Sequence, residues 1–348
     1  MGRRGLIIAI FVCLFAFSLC RELKVKVMHK DHQQDHHLAK YNHTLARILV
    51  QYASAVYMSD LMELFTWTCS RCDGATEGFE VIELIVDVKR CLQGYVGVAT
   101  DLNAIVIAFR GTQERSIQNW VEDLFWKQLD IDYPGVDGAM VHHGFYSAYH
   151  NTSLRPGVLN AVQQAKELYG DIKIIVTGHS MGGAMAAFCG LDLRLSIGEK
   201  NVQVMTFGQP RIGNAAFASY YSKLVPNTIR VTNRHDMVPH LPPYYYYFPQ
   251  KTYHHFPRES RRSVMVLGKT QLVAGKSVRG NSISDHLAYY GVQMGCDSSS
   301  SSCKIVMDPR LGAYGRTDLD GNLILSRNPS TSILKLNRDQ GEQAVDTH

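Results

Sequence analysis

The stretch from residue 172 to 195 constrains the fold more than any other part of this chain. A β-branched run at 172–177 leads directly into Gly-His-Ser-Met-Gly-Gly at 178–183, and apolar spacing predicts a helix over 181–195. A serine at such a tight strand-to-helix bend adopts a strained backbone conformation, and its neighbours must be nearly bare to permit the turn. The pattern therefore predicts that the hydroxyl of Ser180 projects above a sheet as a nucleophile.

Strand and helix patterns alternate along the rest of the chain. Predicted strands precede the serine at 79–86, 95–99 and 104–109 and follow it at 202–207 and 228–232, and predicted helices cover 154–169 and 215–224. Such alternation favours an α/β protein with a mostly parallel central sheet and helices on both faces. Together with the serine bend, it predicts the α/β-hydrolase fold.

A serine hydroxyl needs a neighbouring base, and that base needs a carboxylate that fixes its tautomer. In this fold the order along the chain is serine, acid, histidine. Asp236 is the best-placed acid because it follows the strand at 228–232, in a turn at the carboxyl edge of the sheet. His286, which opens a final apolar segment, is the predicted base. The other downstream candidates are Asp192, Glu199, His240 (too close to the acid), His254, His255 and His348 (in the tail).

The oxyanion of an acyl-transfer reaction needs two proton donors. One is the backbone amide of Met181, directly after the nucleophile. The other comes from the exit of an earlier strand, where the run at 104–109 ends in Arg-Gly-Thr at 110–112. Taken alone, Arg-Gly-Thr is more often an ordinary turn, but in company with the serine bend it makes Thr112 the predicted second donor.

At these residues the chain resembles the class 3 lipase family, which contains fungal triacylglycerol lipases, feruloyl esterases and plant relatives. The resemblance covers residues 45–296 and rests on motifs in family order: Phe-Arg-Gly-Thr at 109–112, Val-His-His-Gly-Phe at 141–145, Gly-His-Ser-Met-Gly-Gly at 178–183, Gly-Gln-Pro-Arg-Ile-Gly-Asn at 208–214, Asn-Arg-His-Asp-Met-Val-Pro at 233–239 and His-Leu-Ala-Tyr-Tyr-Gly at 286–291. It implies a triad of Ser180, Asp236 and His286. It also implies Thr112 and Met181 as oxyanion donors and hydrolysis of acylglycerol esters through an acyl-enzyme.

An apolar helical stripe follows the predicted oxyanion loop. Ile117, Trp120, Val121, Leu124 and Phe125 fall at i, i+3, i+4, i+7 and i+8, so they share one helix face. A core-facing helix is the ordinary interpretation of such a stripe. Because of its position, and because it is similar to the helical lid of family lipases, we expect a lid that covers the site in water and opens on lipid.

The ends of the chain differ from its centre. Arg3 and Arg4 precede an apolar run at 6–19 that is short for a membrane span and typical of a secretory signal. We predict a signal peptide at 1–20 (an uncleaved anchor is the alternative), a polar segment at 21–45, the hydrolase domain at 46–303, and an extension at 304–348 with a disordered tail. The fungal enzymes end where this extension begins. Residues 318–322 predict a hairpin turn rather than a calcium loop, since position 12 would be Pro329.

Entry into the secretory pathway permits disulfides, and the protein is expected to be secreted or to reside in an endomembrane compartment or vacuole. Cys296 and Cys303 flank a serine-rich loop and are the firmest predicted pair, whereas Cys69, Cys72 and Cys91 predict one bridge with its partners left open. A zinc site is the competing interpretation of that trio, but no nearby histidine supplies a fourth ligand. Two glycosylation sequons begin at Asn42 and Asn151.

The charge balance argues against a nucleic-acid partner, because 36 basic and 31 acidic residues give a net charge of only +5. The expected partner is a lipid ester at a lipid–water interface, with no cofactor, no bound metal and no membrane span once the signal is removed. Oligomeric state is not predicted. Alternative substrates are phospholipids, as for a phospholipase A1, and cell-wall feruloyl esters, which the aromatic run at 244–248 would suit. A lipase-like signalling scaffold is the non-enzymatic alternative, but such plant proteins carry a large helical C-terminal domain, and only residues 304–348 follow Cys303.

Overall fold

The computed structural model describes residues 41–113, 116–126, 131–244, 252–256, 259–262, 282–296, 308–318 and 320–327. The predicted signal peptide, residues 21–40 of the predicted polar segment, most of the aromatic run at 244–248, Cys303 and the predicted disordered tail lie outside these residues. The division of the chain at residues 20, 45 and 303 stays a prediction. Within the described ranges, no helix is both long and apolar enough to cross a membrane.

A nine-stranded sheet forms the centre of the described structure, with the spatial order β12-β13-β1-β2-β3-β6-β7-β8-β9. Its strands are β1 (Glu80–Asp87), β2 (Leu92–Ala99), β3 (Ala104–Phe109), β6 (Lys173–His179), β7 (Val202–Phe207), β8 (Thr228–Asn233), β9 (Glu259–Arg262), β12 (Gly315–Thr317) and β13 (Leu323–Ser326). Two small pairs lie apart from it, β4 (Ile131–Asp132) with β5 (Met140–Val141) and β10 (Ala288–Tyr289) with β11 (Val292–Gln293).

The part of the sheet from β3 to β9 is parallel throughout. Strand β3 is buried at every residue and β6 at every residue after Lys173, as expected for parallel strands that are covered on both faces. The strands on the other side of β3 pair antiparallel with their neighbours. Because the carboxyl ends of the parallel strands share one edge, loops that are distant in sequence meet there.

Seven helices cover the sheet in the described residues. They are α1 (His43–Ala55), α2 (Leu61–Thr66), α3 (Ile117–Trp126), α4 (His143–His150), α5 (Leu154–Tyr169), α6 (Met181–Ser196) and α7 (Ala215–Leu224). Helices α1 and α2 share an apolar cluster with Leu84 and Val106, whereas α3 to α7 share the other cluster with Ile85 and Ile107. Since successive strand residues point to opposite faces, the two clusters lie on the two sides of the sheet. The predicted α/β class with helices on both faces is confirmed.

Most element boundaries follow the apolar pattern, and the main difference is at β2. This strand begins at Leu92, three residues before the predicted start. The pattern missed its first residues because Gln93 and Gly94 are not typical of a strand. The side-chain amide of Gln93 is buried and donates to the carbonyls of Val56 (3.0 Å) and Met58 (3.2 Å). A polar residue thus lies inside the sheet because the loop after α1 supplies its acceptors.

The C-terminal extension contributes to the sheet rather than standing apart from it. Strands β12 and β13 form a hairpin, and β13 pairs antiparallel with β1. The turn between them is held by Asp318, whose Oδ1 accepts from the amides of Asp320 (2.9 Å) and Asn322 (2.8 Å), which confirms the predicted hairpin turn. Leu325 is fully buried, so the extension adds to the apolar core.

The predicted bridge among Cys69, Cys72 and Cys91 is formed by the first two. Cys69 and Cys72 are joined, and Cys91 is free and exposed. Cys296 is also disulfide-bonded, and its predicted partner Cys303 lies outside the described residues. Because Cys69 and Cys72 are bonded to each other, the trio is not available as zinc ligands.

Candidate active site

Ser180 lies at the junction of β6 and α6 with a backbone of φ 57° and ψ −127°, a region that non-glycine residues rarely occupy. Its amide donates to the carbonyl of Phe207 (2.9 Å), which ties the bend to β7. The next turn of backbone passes so close to β3 that a Cβ at Gly182 would lie 2.1 Å from the Phe109 oxygen. The strained serine bend predicted from the sequence is therefore present, and the surrounding backbone holds it in place.

The loop after β8 presents the predicted acid, Asp236, to the predicted base. Its Oδ2 accepts from His286 Nδ1 (2.9 Å) and from the hydroxyl of Tyr289, and its Oδ1 accepts from the amide of Val238 (2.9 Å). Both members of the pair are buried. Because a carboxylate only accepts, Nδ1 of His286 carries the proton, and Nε2 is left as the basic atom.

The two atoms that would exchange the proton, Oγ of Ser180 and Nε2 of His286, are both buried and make no hydrogen bond among the described residues. Ser180 is 0% exposed. The Ser180–His286 hydrogen bond is therefore not made in this structure, as is common for catalytic bonds that tighten only when substrate binds. The two residues are nevertheless neighbours, because His179, which precedes the serine, packs its ring 4.4 Å from that of His286 and bonds to its carbonyl (2.8 Å).

The two predicted oxyanion donors lie beside the serine. The hydroxyl of Thr112 is 3.9 Å from Sδ of Met181, so the exit of β3 and the start of α6 are in contact. A Cβ built at Gly111 would lie 3.0 Å from Cβ of Ser180, which shows how closely the loop passes the nucleophile. The two backbone segments that carry the predicted donors thus meet at the serine.

The predicted lid stripe lies on α3 and is turned inward. Ile117, Val121 and Leu124 are buried in the apolar cluster against which Met181 packs, and Trp120 is half-buried with its ring 6.0 Å from that of Phe145. The residues on the opposite face of α3 are exposed. The side chain of Phe125 lies outside the described part of the chain. In this conformation the serine is closed off from water.

The chain matches the sequence profile of class 3 lipases over residues 106–246. It is 33% identical over 237 residues to a lipase of Rhizomucor miehei, covering 66% of this chain and 63% of that protein. A solved triacylglycerol lipase with a serine-protease triad as its catalytic centre matches with a TM-score of 0.61 at 30% identity, covering 73% of this chain and 97% of that one. This chain belongs to the class 3 lipase family. The predicted resemblance and the α/β-hydrolase fold are confirmed.

A further relative of this chain is the secreted mono- and diacylglycerol lipase A of Penicillium cyclopium, which is 30% identical over 205 residues, or 56% of this chain. The chain spans 63% of the length of that protein and of the Rhizomucor lipase, less than two thirds in each case.

The alternative acids Asp192 and Glu199 and the alternative base His255 have structural partners, and the candidate His348 lies outside the described residues. Asp192 is held by Arg155 (2.9 Å) and Tyr149 (3.0 Å) behind α6, and Glu199 pairs with Lys166. His255 bonds to the carbonyl of Pro239 (2.5 Å). His142, which lies next to the Val141 strand end, caps α4 by accepting from the Phe145 amide, and Asp285 accepts from the His235 amide (3.1 Å).

The sequence indicates no role for three residues of the candidate site. Tyr289 donates to the predicted acid, and Tyr57 and His179 bond to each other (2.9 Å) directly beneath the serine. His179 and Tyr289 lie inside quoted motifs, but nothing in their spacing indicates a bonding partner. Tyr57 lies in no motif, and its partner is distant in the sequence, so no sequence signal identifies it.

Proposed function

We propose that this protein is a serine carboxylic-ester hydrolase that cleaves acylglycerol fatty-acid esters. Ser180 is the nucleophile, His286 the base and Asp236 the group that orients it. The observation that carries the proposal is the buried Asp236–His286 pair, which leaves Nε2 basic beside a serine held at φ 57°. Chemistry of this kind needs all three groups in one place.

The reaction proceeds through an acyl-enzyme. Oγ of Ser180 attacks the carbonyl carbon as its proton passes to Nε2 of His286, and the oxyanion accepts from Thr112 and Met181. The imidazolium, stabilised by Asp236, then gives that proton to the departing alcohol. Water, deprotonated by the same nitrogen, attacks the acyl carbon, and collapse of the second oxyanion returns the proton to Ser180 and releases the fatty acid.

Lipid at an interface is the proposed substrate form. The relatives are named as triacylglycerol and as mono- and diacylglycerol lipases. In addition, the inward apolar stripe of α3 would be stable in water only while it stays buried, and a lipid surface offers it an alternative apolar contact. We therefore propose α3 as a lid, and a secretory location in keeping with the secreted relative.

A fluorophosphonate probe tests the nucleophile, because it labels only an activated serine. We expect labelling of the wild type and none of Ser180→Ala. Ser222→Ala is the matched control, since that hydroxyl bonds to the Ala218 carbonyl in α7, away from the site, and labelling should be unchanged. Equal labelling of wild type and Ser180→Ala would remove Ser180 as the nucleophile.

Turnover on a panel then assigns the substrate. Triacylglycerol, diacylglycerol, phospholipid and feruloyl esters are compared with the wild type and Ser180→Ala. The proposal expects the highest Ser180-dependent kcat/KM on acylglycerols. A higher value on phospholipid or on feruloyl ester would replace the acylglycerol assignment, and no Ser180-dependent turnover on any ester would favour the scaffold alternative.

A further inference from the structure

A chain of buried hydrogen bonds runs beneath the proposed catalytic serine. The amide of Gly111 donates to the hydroxyl of Tyr57 (3.1 Å), and that hydroxyl lies 2.9 Å from Nδ1 of His179. On the other side of the ring, Nε2 of His179 lies 2.8 Å from the carbonyl oxygen of His286. Tyr57 and His179 are both buried.

The direction of each bond follows from the acceptors. A backbone carbonyl only accepts, so Nε2 of His179 carries a proton and donates to His286. Burial, aided by the nearby His286, lowers the pKa of His179 well below its ordinary value, so the ring is neutral and Nδ1 is an acceptor. Burial also raises the pKa of Tyr57, so its hydroxyl stays protonated and donates to Nδ1. All three bonds therefore have one defined orientation.

The chain of bonds connects to the proposed oxyanion donor, nucleophile and base through backbone groups at or next to these residues. Gly111 precedes the proposed oxyanion donor Thr112, His179 precedes the nucleophile, and the last acceptor is the backbone of the base itself. The side chain of His286 is already held by Asp236. That side-chain bond does not fix the distance between the main chain of His286 and the oxyanion loop.

We propose that Tyr57 and His179 are positioning residues that hold the oxyanion loop and the backbone of the catalytic histidine at a fixed separation on either side of Ser180. The inference rests on the proposed function, since it assigns a role within that same site. Neither residue exchanges a proton with substrate. Their effect is geometric, and a displacement of about 1 Å between reacting groups lowers turnover by about a hundredfold.

Tyr57→Phe tests this with a matched control in the same apolar cluster. Tyr95→Phe makes the same chemical change at a fully buried tyrosine of that cluster. Its hydroxyl also bonds to a backbone group, the Tyr52 carbonyl (2.8 Å), which lies in α1 and not in the chain of bonds beneath Ser180. Tyr57→Phe loses two buried hydrogen bonds and Tyr95→Phe loses one, so both should lose thermal stability, Tyr57→Phe somewhat more. We expect Tyr57→Phe alone to lower kcat on a soluble ester, by about tenfold or more, and to slow fluorophosphonate labelling, with KM unchanged.

A pair of His179 variants separates the hydrogen bond from packing and applies even where Tyr57→Phe does not fold. Glutamine carries its amide nitrogen the same number of bonds from the backbone as Nε2, so His179→Gln keeps a donor for the His286 carbonyl, whereas His179→Leu does not. We expect kcat of His179→Gln to exceed that of His179→Leu by about tenfold. Equal values for the two His179 variants, or equal kcat for Tyr57→Phe and Tyr95→Phe, would overturn the positioning role while the wild type remains active. Failure of the proposed function itself would look different, as wild type without Ser180-dependent turnover.

Discussion

Gly208 shows how little free space surrounds the proposed acid and base. Its φ is +59°, and a Cβ built there would lie 2.9 Å from Oδ2 of Asp236 and 2.9 Å from both Nδ1 and Cε1 of His286. A methyl group at this position would meet both partners of the 2.9 Å hydrogen bond at once. The absence of a side chain at residue 208 is thus a condition for the Asp236–His286 pair to form.

We expect Gly208→Ala to lower kcat about a hundredfold, because the added methyl group displaces His286 from its acid. Kinetics on a soluble ester and thermal unfolding measure the two effects. Gly198→Ala is the control, since Gly198 has a similar φ of +69° but nothing within 4 Å of the added Cβ. It suffers the same backbone strain and should keep its activity. Retention of wild-type kcat by Gly208→Ala would contradict the proposed pair.

At the level of elements, α3 has two possible apolar environments. In the described conformation Ile117, Val121 and Leu124 of its stripe are buried in the cluster beneath it, and opening would transfer them to the surface. In water this exposure is unfavourable, by about 1.5–3 kcal/mol for each large side chain, but a lipid surface removes most of that cost. An interface would thus shift α3 toward the open state.

Trp120→Ala is expected to lower activity on emulsified ester by about tenfold more than activity on a soluble short-chain ester, because the indole contributes to binding lipid only when α3 is open. The ratio of the two rates is the measurement. Gln118→Ala, on the exposed face of the same helix, controls for a general effect on α3. Equal losses on both substrates after Trp120→Ala would argue for a fixed core-facing helix instead of a lid.

On the scale of the whole molecule, buried and half-buried neutral histidines make the fold sensitive to acid. Burial lowers the pKa of His150 to about 4. The Asp192 carboxylate opposes this shift, and the positive charge of Arg155 adds a smaller contribution in the same direction as burial. Burial also lowers the pKa of His179 and of His255 well below the ordinary value. Between pH 6.5 and pH 4 the unfolded chain binds protons at these residues and the folded chain does not. The free energy of unfolding therefore falls as pH drops through this range.

His150→Gln should reduce that pH dependence, because an amide does not titrate. Urea unfolding at pH 7.5 and pH 5 measures the loss of stability in each protein, and we expect a smaller loss in the variant than in the wild type. His235→Gln is the control, since the His235 side chain is 61% exposed and its Nδ1 lies 3.8 Å from Oδ2 of Asp285, beyond hydrogen-bond distance. An identical loss in His150→Gln and wild type would show that His150 does not contribute.

Local pattern alone predicted the elements around the site. The strands and helices at 104–109, 154–169, 202–207 and 215–224 have the predicted bounds, and the serine bend has the strained backbone that its glycine-flanked sequence implies. These features depend on sterics and on periodicities of a few residues, which a sequence states directly. The chain order serine, acid, histidine also predicted Asp236 and His286 as partners, and a hydrogen bond joins them in the structure. Their catalytic role stays a proposal.

Only the tertiary structure decided which distant groups share a buried hydrogen bond or a sheet edge. Tyr57 meets His179, Tyr289 meets Asp236, and the hairpin of β12 and β13 pairs with β1, although none of these partners is near in sequence. The linkage of Cys69 to Cys72, with Cys91 left free, was likewise decided by folding. The sequence shows that a buried polar group must have a hydrogen-bond partner. Which partner it has depends on how the helices and strands pack together.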